Sequence, residues 1–384
     1  MLCVGSSIGV LVAGRLLQGL SAAVVWTVGL ALLVDTVGQK EIGQVMGYVS
    51  LSVSIAILVA PLLGGVVYAR GGYYAVFAMA FALIGLDIVL RLALVEKKIA
   101  KKWSITDEDG SSENSIDPDP MKSRNRDSTT RKQSSNHGSK ENITSEANIA
   151  SGEQRPQSEK HRYSRFIHNL PPVVTLLKSR RILAALWGCL VQAALTTSFD
   201  SVLPLFVKRT FGWGSTGAGL IFLALIVPSF SAPLIGRASD KYGPRWLAAT
   251  GFILALPFLV LLRSVTHNSL QQIVLLCALL ALLGVSLTFV MPPLMAEITY
   301  VVEAKEKKNP GLFGKQGAYA QAYGLFTCAF AGGTLVGPIW AGFVEQRAGW
   351  GTMVWSLGLL STLSAVPAVI WTGGLVTRRH EEVA

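Results

Sequence analysis

Along most of this chain apolar residues do not alternate with polar ones. They continue in long runs separated by short polar breaks, at 8–34, 45–68, 73–95, 182–207, 215–235, 246–264, 270–300, 317–343 and 351–374. Each run is near the roughly 20 residues that an α-helix needs to cross a hydrocarbon core of about 30 Å. A helix also satisfies its own backbone N–H and C=O groups where no water can reach them. The pattern therefore predicts nine spans and an all-α polytopic membrane protein.

The runs are interrupted once at length. Residues 96–165 are rich in Ser, Asn, Lys, Asp and Glu and poor in aromatics, a composition that buries too little apolar surface to offset chain entropy. This divides the chain into a partial helical bundle at 1–95, a linker at 96–181, a six-helix bundle at 182–376 and a tail at 377–384. The end of the linker, from His161 to Arg181, mixes aromatic, proline and basic residues and is expected to lie on the membrane surface. Asn142-Ile143-Thr144 fits a glycosylation acceptor, but the linker is expected to be cytosolic and out of reach of that machinery.

Two of the predicted pairs of spans repeat each other at an offset of 277 positions. Gln44, Gly47, Pro61, Gly65, Arg70 and Gly72 recur as Gln321, Gly324, Pro338, Gly342, Arg347 and Gly349. Ser52, Ala56, Ala60 and Gly64 recur as the small residues Ala329, Gly333, Gly337 and Ala341, and their four-residue steps place each set on one helical face. Duplicated membrane halves are a hallmark of secondary transporters.

Composition agrees with a membrane setting: 51% of residues are hydrophobic, 15% are charged and the mean hydropathy is +0.46. The net charge of +11 does not indicate nucleic acid, because 17 of the 34 Lys and Arg lie in 96–181 among 12 Asp and Glu. Their positive excess instead marks the cytosolic side, shared with Lys40, 236–245, 303–315 and the C-terminus. Cys3, Cys189, Cys277 and Cys328 sit in apolar runs without CxxC spacing, so they read as packing residues rather than metal ligands. No phosphate-binding loop, dinucleotide fingerprint or zinc-protease helix is present, and the chain reads as no enzyme, with no cofactor.

Gly236, Asp240, Lys241, Gly243 and Arg245 join two spans in the pattern GxxxD(K/R)xGx(K/R). With this loop the chain resembles the major facilitator superfamily, whose halves carry such a signature between their second and third helices. The resemblance implies a major facilitator fold with about nine of twelve expected helices present: family helices four to six, then seven to twelve. On that expectation the chain is N-terminally truncated and the first copy of the loop is absent. Asp35 and Glu297 end corresponding helices on the loop side, where the resemblance implies gating ion pairs. Lys241 and Arg245 are the expected partners of Glu297.

Further resemblances point to the drug:proton antiporter and vesicular-transporter-like branch. Arg15, with Gly14, Gln18 and Gly19, resembles a fourth-helix motif linked to proton coupling. Arg15 and Trp26 share a helical face, so Arg15 either looks into a cavity or reaches back to the membrane surface. Gly324, Gly333, Gly337, Pro338 and Gly342 match an antiporter motif, and Pro61, Gly64 and Gly65 keep part of it in the first copy. Read as residues alone, these are sites of close helix packing. Asp200, followed by Val202-Leu203-Pro204-Leu205-Phe206, resembles helix seven of vesicular amine and multidrug carriers. It binds a proton or substrate, or else pairs with Lys208 or Arg209. Tyr323 stands where vesicular amine carriers have an acid.

The function implied is a secondary transporter coupling a proton gradient to efflux of a small organic molecule, a drug or secondary metabolite. The alternatives are a facilitator or importer of a small solute, or a fragment that does not transport. The expected partners are the lipid bilayer and the small-molecule substrate, without nucleic acid. The expected location is the plasma membrane or a vacuolar or vesicular membrane.

Overall fold

The computed structural model describes residues 7–37, 41–93, 172–308, 313 and 318–373. The linker with its glycosylation acceptor and Lys40, most of the surface segment, Cys3 and the C-terminal tail lie outside the described residues. Among those described, every regular element is a helix. In chain order they are α1 (Ile8–Val37), α2 (Ile42–Ala93), α3 (Pro172–Leu177), α4 (Arg180–Phe211), α5 (Ser215–Ile226), α6 (Ala232–Tyr242), α7 (Pro244–Leu261), α8 (Leu270–Thr288), α9 (Met291–Lys308) and α10 (Tyr319–Trp371). Helices α5 and α6 form one crossing through a 3-10 turn at Val227–Ser231, and α8 and α9 form another.

The repeat explains the two longest helices. Gly72 has φ of 72° and ψ of −169°, and its repeat partner Gly349 has φ of 80° and ψ of 169°. Side chains are all but excluded from that backbone region, so glycine at these matched positions lets the helix break sharply without a loop. Each of α2 and α10 is thereby two crossings: eight segments among the described residues are long and apolar enough to cross a membrane, and dividing the 53-residue α10 at Gly349 makes nine. The hydropathy gap at 69–72 and that at 344–350 are thus single-residue breaks within otherwise continuous helix.

One compact unit comprises Met1–Val76 with His161–Ala384. A second comprises Phe77–Lys160, and its described helix carries the Asp87–Arg91 ion pair at 2.7 Å. In the first unit α4 packs against both arms of α10, at Gly333 and Gly337 on the first and at Trp350 and Ser364 on the second, and α7 packs against the second arm. Phe199, Phe252 and Leu259 are fully buried there, and the Phe206 ring stacks on Trp350 at 3.9 Å. The helical bundle begins at Arg180, two residues before the hydropathy boundary, and the last turn of the expected surface segment is packed inside it: Leu176 in α3 is fully buried.

Candidate functional site

Position 236 is where two backbones touch. A Cβ placed on Gly236 falls 2.0 Å from the carbonyl oxygen of Gly43, and one on Gly47 falls 2.4 Å from that of Ala232. Only residues lacking a side chain permit α2 and α6 to approach so closely. At this contact the Gly43 and Gln44 N–H groups donate to Asp240 Oδ1 and Oδ2 at 2.7 and 2.9 Å. Both are early N–H groups of α2, which have no partner within their own helix, and the positive end of the helix dipole favours a carboxylate there. Tyr300 in α9 donates its hydroxyl to Asp240 Oδ1 at 2.7 Å. Asp240 therefore caps a helix 196 residues away rather than its own turn.

Glu297 is the second charged group at this end. It is fully buried, and its Oε1 accepts from Arg181 Nε at 2.9 Å and from the Gly373 N–H at 2.8 Å. Arg245 donates to the carbonyl oxygen of the adjacent Thr372 at 2.5 Å. Lys241 lies over the Tyr242 ring, and Gly243, with φ of 86°, turns the chain from α6 into α7. Arg181, at the start of α4, is thus a direct partner of Glu297 that the loop motif did not supply, and the charge of Arg245, which the motif did supply, acts on Glu297 as well. Asp35 lies exposed in the last turn of α1. Lys305 bonds the Thr175 carbonyl, fixing α3 to α9.

Just inside these contacts Tyr323 is fully buried. Its hydroxyl is 2.8 Å from Thr299 Oγ1 and 3.3 Å from the Met295 carbonyl, and it approaches Met46 Sδ at 3.9 Å. Leu30, Ala31 and Val34 of α1 and Ile42 and Met46 of α2 are buried at the same level. Beyond Gly47 no residue whose side chain is described on α2 is buried. The loop-motif end is closed by packing, whereas the far end of the first arm of α2, towards Gly72, is not packed in this way.

Above Tyr323 lies a cavity of about 450 Å³. Its walls bring together Trp26 of α1, Ser50 and Ser54 of α2, Gln192, Thr196 and Asp200 of α4, and Phe326 and Phe330 of α10. Asp200 has no hydrogen bond or ion pair among the described residues, while Arg209, a suggested partner, pairs with Glu345 at 2.5 Å. Arg15 does not line the cavity; it is exposed and donates from Nη1 to Gln18 Oε1 at 3.1 Å.

The polar lining has one chemical character. Ser50 and Ser54 donate their hydroxyls to the carbonyls of Met46 and Ser50 on their own helix. Thr196 and Thr197 donate to Gln192 and Ala193, and Thr288, Thr327 and Thr334 do likewise to Gly284, Tyr323 and Ala331. With their protons used this way, these groups offer lone pairs to the cavity. Gln192 donates Nε2 to the Leu287 carbonyl at 3.3 Å, and its buried Oε1 has no partner. No Lys, Arg, His or Asn lines the cavity among the described residues.

The glycines of the antiporter-like motif divide into two groups. A Cβ on Gly333 falls 2.1 Å from the Leu190 carbonyl oxygen and one on Gly337 falls 2.4 Å from that of Ala194, so both hold α10 against the cavity-forming stretch of α4. Ser198 Oγ bonds the Gly337 carbonyl at 3.0 Å across the same contact. Gly324 would meet only Thr27, at 3.6 Å, and Gly64, Gly65 and Gly342 would meet nothing within 4 Å. Pro61 and Pro338 lie within continuous helix.

Gln192, Thr196, Tyr300 and Arg181 were not singled out by motif. The first two do carry a sequence signal, because Gln192, Thr196 and Asp200 recur every four residues in a mostly apolar span and must share a face.

Comparison with known proteins places this geometry in context. The family model described as Major Facilitator Superfamily matches residues 1–312 and 186–383. The MFS-type transporter ppzB of Metarhizium majus is 31% identical over 389 residues, covering 97% of this chain and 80% of its own. An uncharacterized MFS-type transporter of Schizosaccharomyces pombe, C18.02, is 32% identical over 361 residues, covering 94% and 73% respectively. The mouse MFS-type transporter SLC18B1 is 28% identical over 189 residues, 47% of this chain and 40% of its own.

Proposed function

This chain belongs to the major facilitator superfamily, and we propose that it is a proton-coupled exporter of a small organic molecule. It is a multi-pass membrane transporter and not an enzyme. The observation that carries the finer reading is Asp200: a carboxylate on a cavity wall, in a span, with no cation beside it among the described residues. A charge so placed is costly unless a proton or a cationic substrate neutralises it. One carboxylate that exchanges the two suffices for antiport, because each then enters only after the other has left.

The closure at the loop-motif end supplies the second requirement. With Asp240 capping α2 and Tyr323 packed beneath the cavity, the site is shut off from the side expected to be cytosolic. Rocking of the two bundles about the cavity requires those bonds to break and others to form at the far end.

The test uses the purified full chain in liposomes with an imposed pH gradient and a panel of radiolabelled organic cations. Uphill accumulation that collapses with the gradient, and is lost in Asp200→Asn, is expected. Gradient-independent equilibration would instead identify a facilitator. Undiminished uphill transport by Asp200→Asn would remove Asp200 from the mechanism.

A further inference from the structure

Gln192 stands apart from the other cavity residues. Its side chain is 8% exposed and lies in the lining, its amide nitrogen is held by the Leu287 carbonyl, and its Oε1 has no partner. A buried carbonyl without a donor carries a desolvation cost that a ligand can relieve. It lies eight residues from Asp200 on α4, which at 1.5 Å per residue separates their backbones by about 12 Å along one face. Thr196 between them has donated its proton to the Gln192 backbone carbonyl, so its hydroxyl adds a further acceptor to this stretch.

We propose that Gln192 is a second recognition point of the transported molecule. The substrate is an elongated organic cation with its charged head at Asp200 and a neutral N–H or O–H donor at Gln192 Oε1, its apolar middle lying against the paired rings of Phe326 and Phe330. This rests on the transport reading above and adds a substrate class to it. Anionic substrates are disfavoured by the same lining: seven hydroxyls have spent their protons on backbone carbonyls, and among the described residues only Trp26, Ser229 and the second N–H of the Gln192 amide keep a side-chain donor free of such a bond.

A matched pair of probes separates the two recognition points. An extended 8-aminooctan-1-ol carries a cation and a distant O–H donor, and nonan-1-amine replaces only that hydroxyl with a methyl group. Binding of each to the detergent-purified full chain is measured by titration calorimetry. After correction for the difference in water-to-octanol transfer, the amino alcohol should bind about fivefold to tenfold more tightly, the worth of one hydrogen bond to a buried acceptor. In Gln192→Met that ratio should fall to about one.

Gln192→Glu provides an independent check, should the first variant fail to fold. It should shift preference towards nonane-1,9-diamine, whose second ammonium meets the new carboxylate. A wild-type ratio near one, an unchanged ratio in Gln192→Met, or no diamine preference in Gln192→Glu overturns the assignment. Gradient-driven export that persists alongside any of these would leave the transport reading intact. Loss of gradient coupling with the probe ratio preserved would sink the transport reading and not the recognition point.

Discussion

Asp240 and Gly43, 197 positions apart, meet at 2.7 Å, and the contact exists only because neither Gly43 nor Gly236 carries a side chain. A carboxylate, a helix N-terminus and a close backbone crossing thus form a single latch. Asp240→Ala removes the acceptor for Gly43, Gln44 and Tyr300 together. A loss of about 1.5–3 kcal/mol in stability of the closed state is expected. A cysteine introduced at Ser50 should then label faster from the loop-motif side; unchanged labelling would show that the latch does not hold the gate.

Gly236→Ala should be worse for transport than its chemistry suggests. The added methyl falls on the Gly43 backbone, which cannot rotate away, so α2 and α6 must separate. Transport should fall at least tenfold while circular dichroism shows an unchanged helix content.

The antiporter-like glycines should not behave as a group. Gly333→Ala and Gly337→Ala each force a methyl against an α4 backbone carbonyl and should abolish transport. Gly64→Ala and Gly342→Ala meet nothing within 4 Å and should leave it within about twofold of wild type. Equal sensitivity at all four positions would show that helix flexibility, and not close packing, is what the motif supplies.

Arg181→Ala leaves Glu297 buried with its direct side-chain partner gone. The expected loss is about 3–5 kcal/mol, the cost of stranding a buried charge. The double variant Arg181→Ala with Glu297→Gln should recover much of it. Recovery is read from thermal unfolding in detergent, and its absence would indicate that Glu297 is held chiefly by Gly373 and the charge of Arg245.

Arg209→Ala tests the separation of Asp200 from the surface cations. Arg209 is 63% exposed and pairs with Glu345, so its removal should change stability by less than about 1 kcal/mol. The pH profile of transport should not move. A shifted profile would restore the ion pair that the sequence offered as an alternative for Asp200.

The amino-acid sequence by itself determined which segments are helices in the membrane, because a run of about twenty apolar residues has no other stable arrangement in lipid. It determined the duplicated architecture, through Gly72 and Gly349 and the small-residue faces before them. It also marked Asp240 and Asp200 as charges that need an explanation. Only the tertiary structure decided what those charges meet. Asp240 finds the N-terminus of α2, Glu297 finds Arg181, and Asp200 finds an open cavity wall in place of Lys208 or Arg209. Arg15 lies outside that wall, although it shares a helical face with Trp26. The reason is geometric: periodicity orients a residue about its own helix axis, but which helix lies across from it depends on crossings between segments nearly two hundred positions apart. The unpaired Gln192 oxygen is the sharpest case, since whether a polar atom is left without a partner depends on everything packed around it.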